Sequence, residues 1–285
     1  MTSLDQFASV FKSADKAVYT YEQVKISRVL LVTDVDETAS ATFAVRVRSF
    51  LSVIDLAATD WQSLSGDAFD SVQGLLETIE RLKPDLIVTY RHLHSKAWRW
   101  PYSLGEYLDV MSQATSVPVM VLPHPDADHA LPHSVKNTDR VMAITNHLTG
   151  DSGLVNVALK FTQQGGTCWL THIESQSVFE HYMDAVSKIP ALDTDVARET
   201  LGEQLLKQPR DFIAACRTEI ANQDLSIHID EVVTMGRRID EYKELISKRE
   251  IDLLVLYTKN DDQLAMHGSA YALAVELRNI PLLML

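Results

Sequence analysis

Arg28-Val29-Leu30-Leu31-Val32-Thr33-Asp34 is the stretch that decides the fold, because it returns later in the chain as Arg140-Val141-Met142-Ala143-Ile144-Thr145-Asn146. Two more stretches repeat in the same order: 85–88 returns at 252–255, and 117–122 returns at 280–285. Each is a short apolar run, which is typical of parallel strands covered by helices on both faces. The order predicts two copies of one α/β unit.

The repeats also predict the domain boundaries. Residues 1–27 form an N-terminal helix-strand extension, 28–123 the first domain, 124–138 a linker and 139–285 the second domain. The first strand of each copy begins at residue 28 and at residue 140, a spacing of 112 residues. The strands that follow Asp85 and Asp252 are 167 residues apart. The second copy therefore gains about 55 residues, enough for one more strand and its helix. We expect the first domain to be abridged by that layer.

Several finer expectations follow from local patterns. Alternating side chains predict strands at 17–24 and 52–58, and an apolar stripe predicts a helix around residues 4–11. Prolines predict breaks near Pro190 and Pro209 in the helical region 177–222. The last strands of the two copies are too apolar to lie at a solvent edge, so we expect them to pair with each other.

Composition excludes several classes of partner. The net charge of -13 and a pI near 5.1 disfavour binding to nucleic acid or to an anionic membrane. No stretch approaches the roughly 20 apolar residues of a membrane span, and the first residues lack a signal-peptide core. Two cysteines in 285 residues fit a reducing compartment, so a cytoplasmic location is expected.

The order of elements resembles the universal stress protein family in its tandem form, over about residues 28–285. Residues 33–39 are similar to the family's strand-end signature, residues 233–236 to the glycine that closes its third strand, and Gly268-Ser269 to the pair that opens its last helix. The resemblance implies two flavodoxin-like domains, each a parallel sheet with helices on both faces. It also implies a stress-response role in binding or regulation.

Some members of that family bind ATP through glycines placed after the fourth strand. Glycines let the backbone approach the phosphates, and the following helix N-terminus stabilises their charge. Here no glycine precedes Gly105 in the first copy or Gly268 in the second, and Asp261 and Asp262 would repel a triphosphate. We therefore expect no cofactor, with ATP the one nucleotide that the resemblance leaves open. The ligand-binding residues carried over from it or placed beside them are Asp34, Arg91, His92, Asn146, Gly236, Gly268 and Ser269.

Two segments allow alternative chemistry. Asp34 and Asp36 fit the Asp-x-Asp-x-Thr pattern of metal-dependent phosphatases, although a strand-end turn with Asp36 capping a helix is the simpler interpretation. Residues 90–100 replace the first glycine loop, and their cations and tryptophans would hold an anionic or planar ligand. Alternatively, the tryptophans pack on the other domain while the charges face water. The residues in question are Arg91, Lys96, Trp98, Arg99 and Trp100.

Histidines form the remaining candidates. A linker cluster would suit a divalent metal, but a solvated linker is the simpler interpretation and we predict no metal site; its members are His124, Asp126, Asp128, His129 and His133. His172 ends an apolar strand and either touches a ligand or is satisfied internally. We expect a non-enzymatic binding or regulatory protein with an unknown small-molecule or protein partner. A metal-dependent phosphatase and a ligand-free scaffold are the alternatives, and the segment with Tyr19 and Tyr21 is the candidate surface for any homodimer.

Overall fold

A computed structural model describes residues 18–100, 102–126, 130–145, 148–258, 266 and 268–285. Within these residues, nine strands form one sheet in the order β2-β1-β3-β4-β9-β8-β5-β6-β7. The strands are β1 (Arg28–Val32), β2 (Asp60–Leu64), β3 (Leu86–Tyr90), β4 (Val119–Leu122), β5 (Arg140–Ile144), β6 (Thr167–Ser175), β7 (His228–Gly236), β8 (Leu253–Leu256) and β9 (Leu282–Met284). The α/β class is therefore confirmed.

Eight α-helices connect these strands in the part of the chain just defined. They are α1 (Glu37–Phe50), α2 (Val72–Leu82), α3 (Glu106–Ala114), α4 (Ser152–Phe161), α5 (Gln176–Val186), α6 (Thr194–Ile220), α7 (Arg238–Arg249) and α8 (Gly268–Glu276). None of the helices in the described ranges is long and apolar enough to cross a membrane.

The two halves of the sheet share one strand order. From the outside inward the second half runs β7-β6-β5-β8-β9, and the first half runs β2-β1-β3-β4. The second half differs by β7, which pairs with β6 and is reached through α5 and α6. The first half has no such layer in its described residues, so β2 is the edge strand. The strand order expected from the repeat is thus confirmed, while the domain boundaries themselves stay a prediction.

The halves join where β4 and β9 pair antiparallel, with Met120 opposite Leu283 at the centre of the register. Every other strand pair in the sheet is parallel. Both joining strands are completely buried, which confirms the expected pairing of the two apolar edges. Because the junction is antiparallel, the carboxyl ends of the strands in one half point to the opposite edge from those in the other half.

A repeated carboxylate fixes the start of each half. Asp85 Oδ2 accepts hydrogen bonds from the backbone nitrogens of Ser27 (2.7 Å) and Arg28 (2.9 Å). Asp252 Oδ2 accepts one from the nitrogen of Arg140 (3.0 Å). Each aspartate therefore ties the first residue of its half's central strand to the neighbouring strand. This shared task explains why aspartate recurs at matching places in the two copies.

The N-terminal segment departs from expectation. No strand forms within residues 18–27, so the strand predicted there is wrong, and the predicted helix at 4–11 lies outside the described residues. Tyr19 is buried, its hydroxyl donates to Asn156 Oδ1 (2.6 Å), and its ring meets Phe212 edge to face. The tyrosine docks on helices of the second half of its own chain. Tyr19 is therefore unavailable to a second copy, whereas Tyr21 is half-buried, and the homodimer stays a prediction.

Two other predictions fail for local reasons. Residues 52–58 form turns instead of a strand, because Asp55 Oδ1 accepts from the nitrogens of Ala57 (2.9 Å) and Ala58 (3.4 Å); β2 begins only at Asp60. The chain does break between α5 and α6 around Pro190, but α6 continues through Pro209. The turns after Pro209 bury four side chains, and that packing offsets the roughly 3 kcal/mol cost of a proline inside a helix. The four are Phe212, Ile213, Cys216 and Ile220.

Candidate functional site

Asp34 lies just beyond the carboxyl end of β1, where ligands bind in open parallel sheets. Its carboxylate is already occupied on both oxygens. The hydroxyl of Tyr90 donates to Oδ1, and the backbone nitrogen of His94 donates to Oδ2 (2.8 Å). The backbone nitrogen of Asp34 in turn donates to the hydroxyl oxygen of Tyr90 (3.2 Å). The aspartate is held in a closed network, half-buried.

Tyr90 is the last residue of β3 and is completely buried. Its ring packs edge to face on Phe43 of α1, at 5.6 Å between centroids, and on His124, at 4.9 Å. Burial and then the hydrogen bond to Asp34 raise the pKa of the phenol above its ordinary value, so the hydroxyl keeps its proton and donates. The tyrosine fills the space between the ends of β1 and β3.

Asp36 has a structural role. Its Oδ1 accepts from the nitrogen of Ala39 (2.9 Å) and caps the N-terminus of α1, as the strand-end interpretation predicted. The close packing of this turn also explains Gly66: a Cβ there would stand 2.6 Å from the backbone oxygen of Asp34. Glycine at that position lets the chain after β2 pass directly beside the Asp34 turn.

The segment after β3 folds inward. His92 and His94 both adopt left-handed backbone conformations, with φ of 61° and 58°. The nitrogen of His92 donates to the oxygen of Leu104 (3.0 Å), which draws the two ends of the loop together. A Cβ at Gly105, where φ is 92°, would lie 2.7 Å from the His92 Cα. Glycine is therefore needed here for packing inside the loop.

Two residues predicted to bind ligand, Arg91 and His92, are buried in this segment. Arg91 Nη2 donates to the backbone oxygens of Ala274 (2.7 Å) and Leu277 (3.3 Å), at the C-terminal end of α8. A cation there is favoured by the helix dipole, and the contact ties the first half of the sheet to the second. Burial, and then the charge of Arg91, lower the pKa of His92, so its imidazole is neutral.

The second half repeats the tyrosine–aspartate pair. Tyr257 occupies the position in the second copy that Tyr90 holds in the first, and its hydroxyl is hydrogen-bonded to Asp151. Asp151 also accepts from the nitrogen of Leu154 (3.0 Å) and caps α4. Burial raises the pKa of Asp151 to about 6. Gly153 leaves room for this pair, because a Cβ there would lie 2.9 Å from the Tyr257 hydroxyl.

Of the other predicted residues of the second half, the structure describes Gly236 and Gly268. Gly236 ends β7, and a Cβ there would press on the side chain of Glu241. Gly268 begins α8, and a Cβ there would meet no atom of the described residues within 4 Å. Asn146 and the side chain of Ser269 lie outside the described residues. The structure therefore neither assembles nor rejects the ligand set that the resemblance implied for this half.

The histidine candidates have partners within the protein. His124 is buried and stacks on Trp98, with centroids 4.7 Å apart, and His133 Nε2 contacts the backbone oxygen of Ile251 (3.1 Å). Within the described ranges no three metal-ligating side chains come together; Asp128 and His129 fall outside those ranges. His172 Nε2 contacts Glu174 Oε2 (3.3 Å).

Glu174 shows how that pair is balanced. Burial raises the pKa of its carboxyl, but the hydrogen bond from His172 and the nearby charges lower it further, so the net pKa lies below the ordinary value. The carboxylate is consequently ionised at neutral pH.

Sequence reasoning missed Tyr90, Tyr257 and Asp151. The signal was available, because the same offset that aligns Asp85 with Asp252 also aligns Tyr90 with Tyr257. The capping role of Asp151 was less accessible, since Asp36 and Asp151 lie at different distances from the ends of their strands.

Comparison with known proteins supports the fold. No family model matches the chain, and no curated protein matches it in sequence. A crystal structure of a functionally unknown protein from Pseudomonas aeruginosa is similar, with a TM-score of 0.52 at 12% identity, covering 91% of this chain and 92% of that one. A universal stress protein from Archaeoglobus fulgidus aligns with a TM-score of 0.49 at 12% identity, covering 92% and 98%.

Proposed function

We propose that the protein is a non-enzymatic ligand-binding or regulatory protein of the universal stress type, in which a tyrosine closes each nucleotide position. The observation that supports this is the repeated pair, Tyr90 with Asp34 and Tyr257 with Asp151. In the ATP-binding members of the universal stress protein family, glycines after the strand that corresponds to β3 and β8 let the backbone approach the phosphates. In this chain Tyr90, at the end of β3, and Tyr257, directly after β8, stand at those positions. Each donates a hydrogen bond to an aspartate instead.

The energetics disfavour a nucleotide at these positions. Entry beside β1 and β3 would separate the Tyr90 hydroxyl from Asp34, and a hydrogen bond to a charged group contributes roughly 1.5–3 kcal/mol. It would also leave the Asp34 carboxylate facing a polyanion, which is repulsive without an intervening cation. The predicted affinity for ATP is therefore weaker than roughly 100 μM, which corresponds to about 5.5 kcal/mol.

The phosphatase alternative requires a reactive nucleophile. A carboxylate attacks phosphorus through an oxygen lone pair, and each hydrogen bond that the oxygen accepts lowers its nucleophilicity and restricts its movement. Both oxygens of Asp34 accept hydrogen bonds, and Asp36 Oδ1 caps α1. These contacts favour the structural interpretation of both aspartates and support a non-enzymatic role.

Calorimetry and an activity assay test this proposal together. Titration with Mg-ATP should give no heat signal that fits a dissociation constant below about 100 μM, and low-micromolar binding would contradict the closed positions. Para-nitrophenyl phosphate with Mg²⁺ should not be hydrolysed above background. Hydrolysis that Asp34→Asn abolishes, while Asp67→Asn at an exposed site leaves it unchanged, would establish the phosphatase instead.

A further inference from the structure

A small cleft lies where the two halves meet, beyond the carboxyl ends of β3 and β4. Its volume is about 10 Å³, room for about one water molecule, and it opens to solvent. The first half contributes the segment after β3 and His124, which follows Pro123. The second half contributes the end of α8 and Arg278, the second residue beyond it. The lining residues are Arg91, His92, Trp98, Trp100, Ser103, His124, Val275 and Arg278.

Two guanidinium groups line this cleft, and neither has a counter-ion among the residues that the structure describes. Arg278 is half-buried and makes no hydrogen bond or ion pair among the described residues, and Arg91 Nε is buried with no acceptor there. Burial, and then the charge of Arg278, lower the pKa of Arg91 to about 9. In a protein with a net charge of -13, no carboxylate of the described residues pairs with either. An anion between like charges would remove their repulsion.

Aromatic side chains form the wall beside these cations. Trp98 is occupied by its neighbours, since it stacks on His124 with a 16° angle between the planes and carries the Arg99 guanidinium 5.3 Å from its ring centre. Trp100 is different, because 61% of it is exposed. An indole left in water at the mouth of a cationic cleft offers a flat surface on which a planar group can stack.

We propose that the mouth of this cleft binds a small planar organic anion, whose carboxylate or phosphate group lies at Arg278, close to the charge of Arg91, while its aromatic ring lies outside the cleft against the exposed Trp100. This rests on the proposed binding role and names the chemical class of the ligand. The site lies on the far side of Tyr90 from Asp34, toward the second half. Repeat symmetry does not duplicate it, because Thr258 stands in the second copy where Arg91 stands in the first.

Thr258 shows what that position does without a charge. Its nitrogen and its hydroxyl both donate to the backbone oxygen of Leu285, each at 2.9 Å, and tie the chain end to β8. The equivalent position in the first half also ties neighbouring elements together, through Nη2 of Arg91. Arg91 adds a charged guanidinium group, which a purely structural hydrogen bond, such as the one that Thr258 makes, does not require.

Benzoate and its neutral isostere benzamide test the proposal on the full-length protein. Benzoate should quench tryptophan fluorescence saturably, and benzamide should bind at least tenfold more weakly. Arg278→Gln should weaken benzoate at least tenfold, which corresponds to about 1.4 kcal/mol, and leave benzamide unchanged. Trp100→Ala should weaken both. Arg46→Gln, at an exposed site on α1, is the matched control and should bind benzoate like the wild type.

Four outcomes would overturn the proposal: no saturable response to benzoate, equal affinity for benzamide, unchanged benzoate affinity in Arg278→Gln, or unchanged benzoate affinity in Trp100→Ala. The variants change an exposed or half-buried side chain, and equal unfolding midpoints will establish that they fold. Failure here is distinguishable from failure of the proposed function. Micromolar Mg-ATP binding that Arg278→Gln leaves unchanged would refute the closed nucleotide positions only, whereas absent benzoate binding with absent ATP binding would refute the anion cleft only.

Discussion

Replacing Tyr90 with phenylalanine removes one oxygen atom and leaves the ring and its packing in place. That oxygen donates to Asp34 Oδ1 and accepts from the Asp34 nitrogen. A hydrogen bond to a carboxylate contributes roughly 1.5–3 kcal/mol, and a neutral one roughly 0.5–1.5 kcal/mol. Asp34 is only half-buried and keeps the bond from His94, so water will replace part of the loss. We expect Tyr90→Phe to lower the free energy of unfolding by about 2 kcal/mol.

Urea unfolding followed by far-UV circular dichroism measures this loss, with an unchanged slope confirming that the folded state is equally compact. Tyr102→Phe is the control, because Tyr102 is 79% exposed and its hydroxyl should be worth less than about 0.5 kcal/mol. A double-mutant cycle with Asp34→Asn should give a coupling energy of about 1–3 kcal/mol between the two side chains. Stability within 0.5 kcal/mol of the wild type for Tyr90→Phe, with no coupling to Asp34, would refute the closed pair.

Three further predictions concern packing and pH. Tyr19→Ala should cost roughly 3–5 kcal/mol in unfolding free energy, since the ring is buried against the second half, and unchanged stability would show that residues 18–27 do not dock there. Gly105→Ala should lower the free energy of unfolding by clearly more than Gly165→Ala. Both glycines have positive φ, but only at Gly105 would a Cβ press on neighbouring backbone. Equal losses of stability in the two variants would contradict the loop geometry. Burial raises the pKa of Asp252 to about 6, above its unfolded value, so its ionisation costs stability as pH rises from about 4 to 6 and the cost stays constant above that. Asp252→Asn should therefore gain on the wild type by up to about 3 kcal/mol between pH 4 and pH 7, measured by urea midpoints, and a difference independent of pH would contradict it.

The sequence could predict the parts of the fold in which a buried apolar run itself determines the secondary structure. The strands at 28–32 and 140–144 are apolar runs that only a covered parallel sheet accommodates, and their repetition fixed the strand order and the junction of β4 with β9. Predictions failed where one side-chain hydrogen bond determined the local structure, either to a nearby backbone nitrogen or to a residue far away in sequence. The Asp55 carboxylate turned a strand-like segment into turns, and Tyr19 used a distant helix as its partner.

The site was less predictable for a physical reason. A repeat shows that Tyr90 and Tyr257 are equivalent, but whether a hydroxyl at the end of a strand faces solvent or a carboxylate depends on the turn after a different strand. Arg91 illustrates the same limit: its charge suggested a ligand, and the folded chain gives Nη2 to backbone oxygens nearly 190 residues away in sequence. No sequence pattern singled out Arg278, because its interest depends on the fold, which places it beside Arg91.

A crystal structure determined with Mg-ATP at roughly 10 μM, tenfold below the predicted bound of about 100 μM on its dissociation constant, tests most directly whether a tyrosine closes each nucleotide position. We predict that the Tyr90 hydroxyl will remain on Asp34, that the Tyr257 hydroxyl will remain on Asp151, and that no nucleotide will lie at the carboxyl ends of the strands in either half. Nucleotide bound at either edge, with its tyrosine rotated away from the aspartate, would contradict that claim.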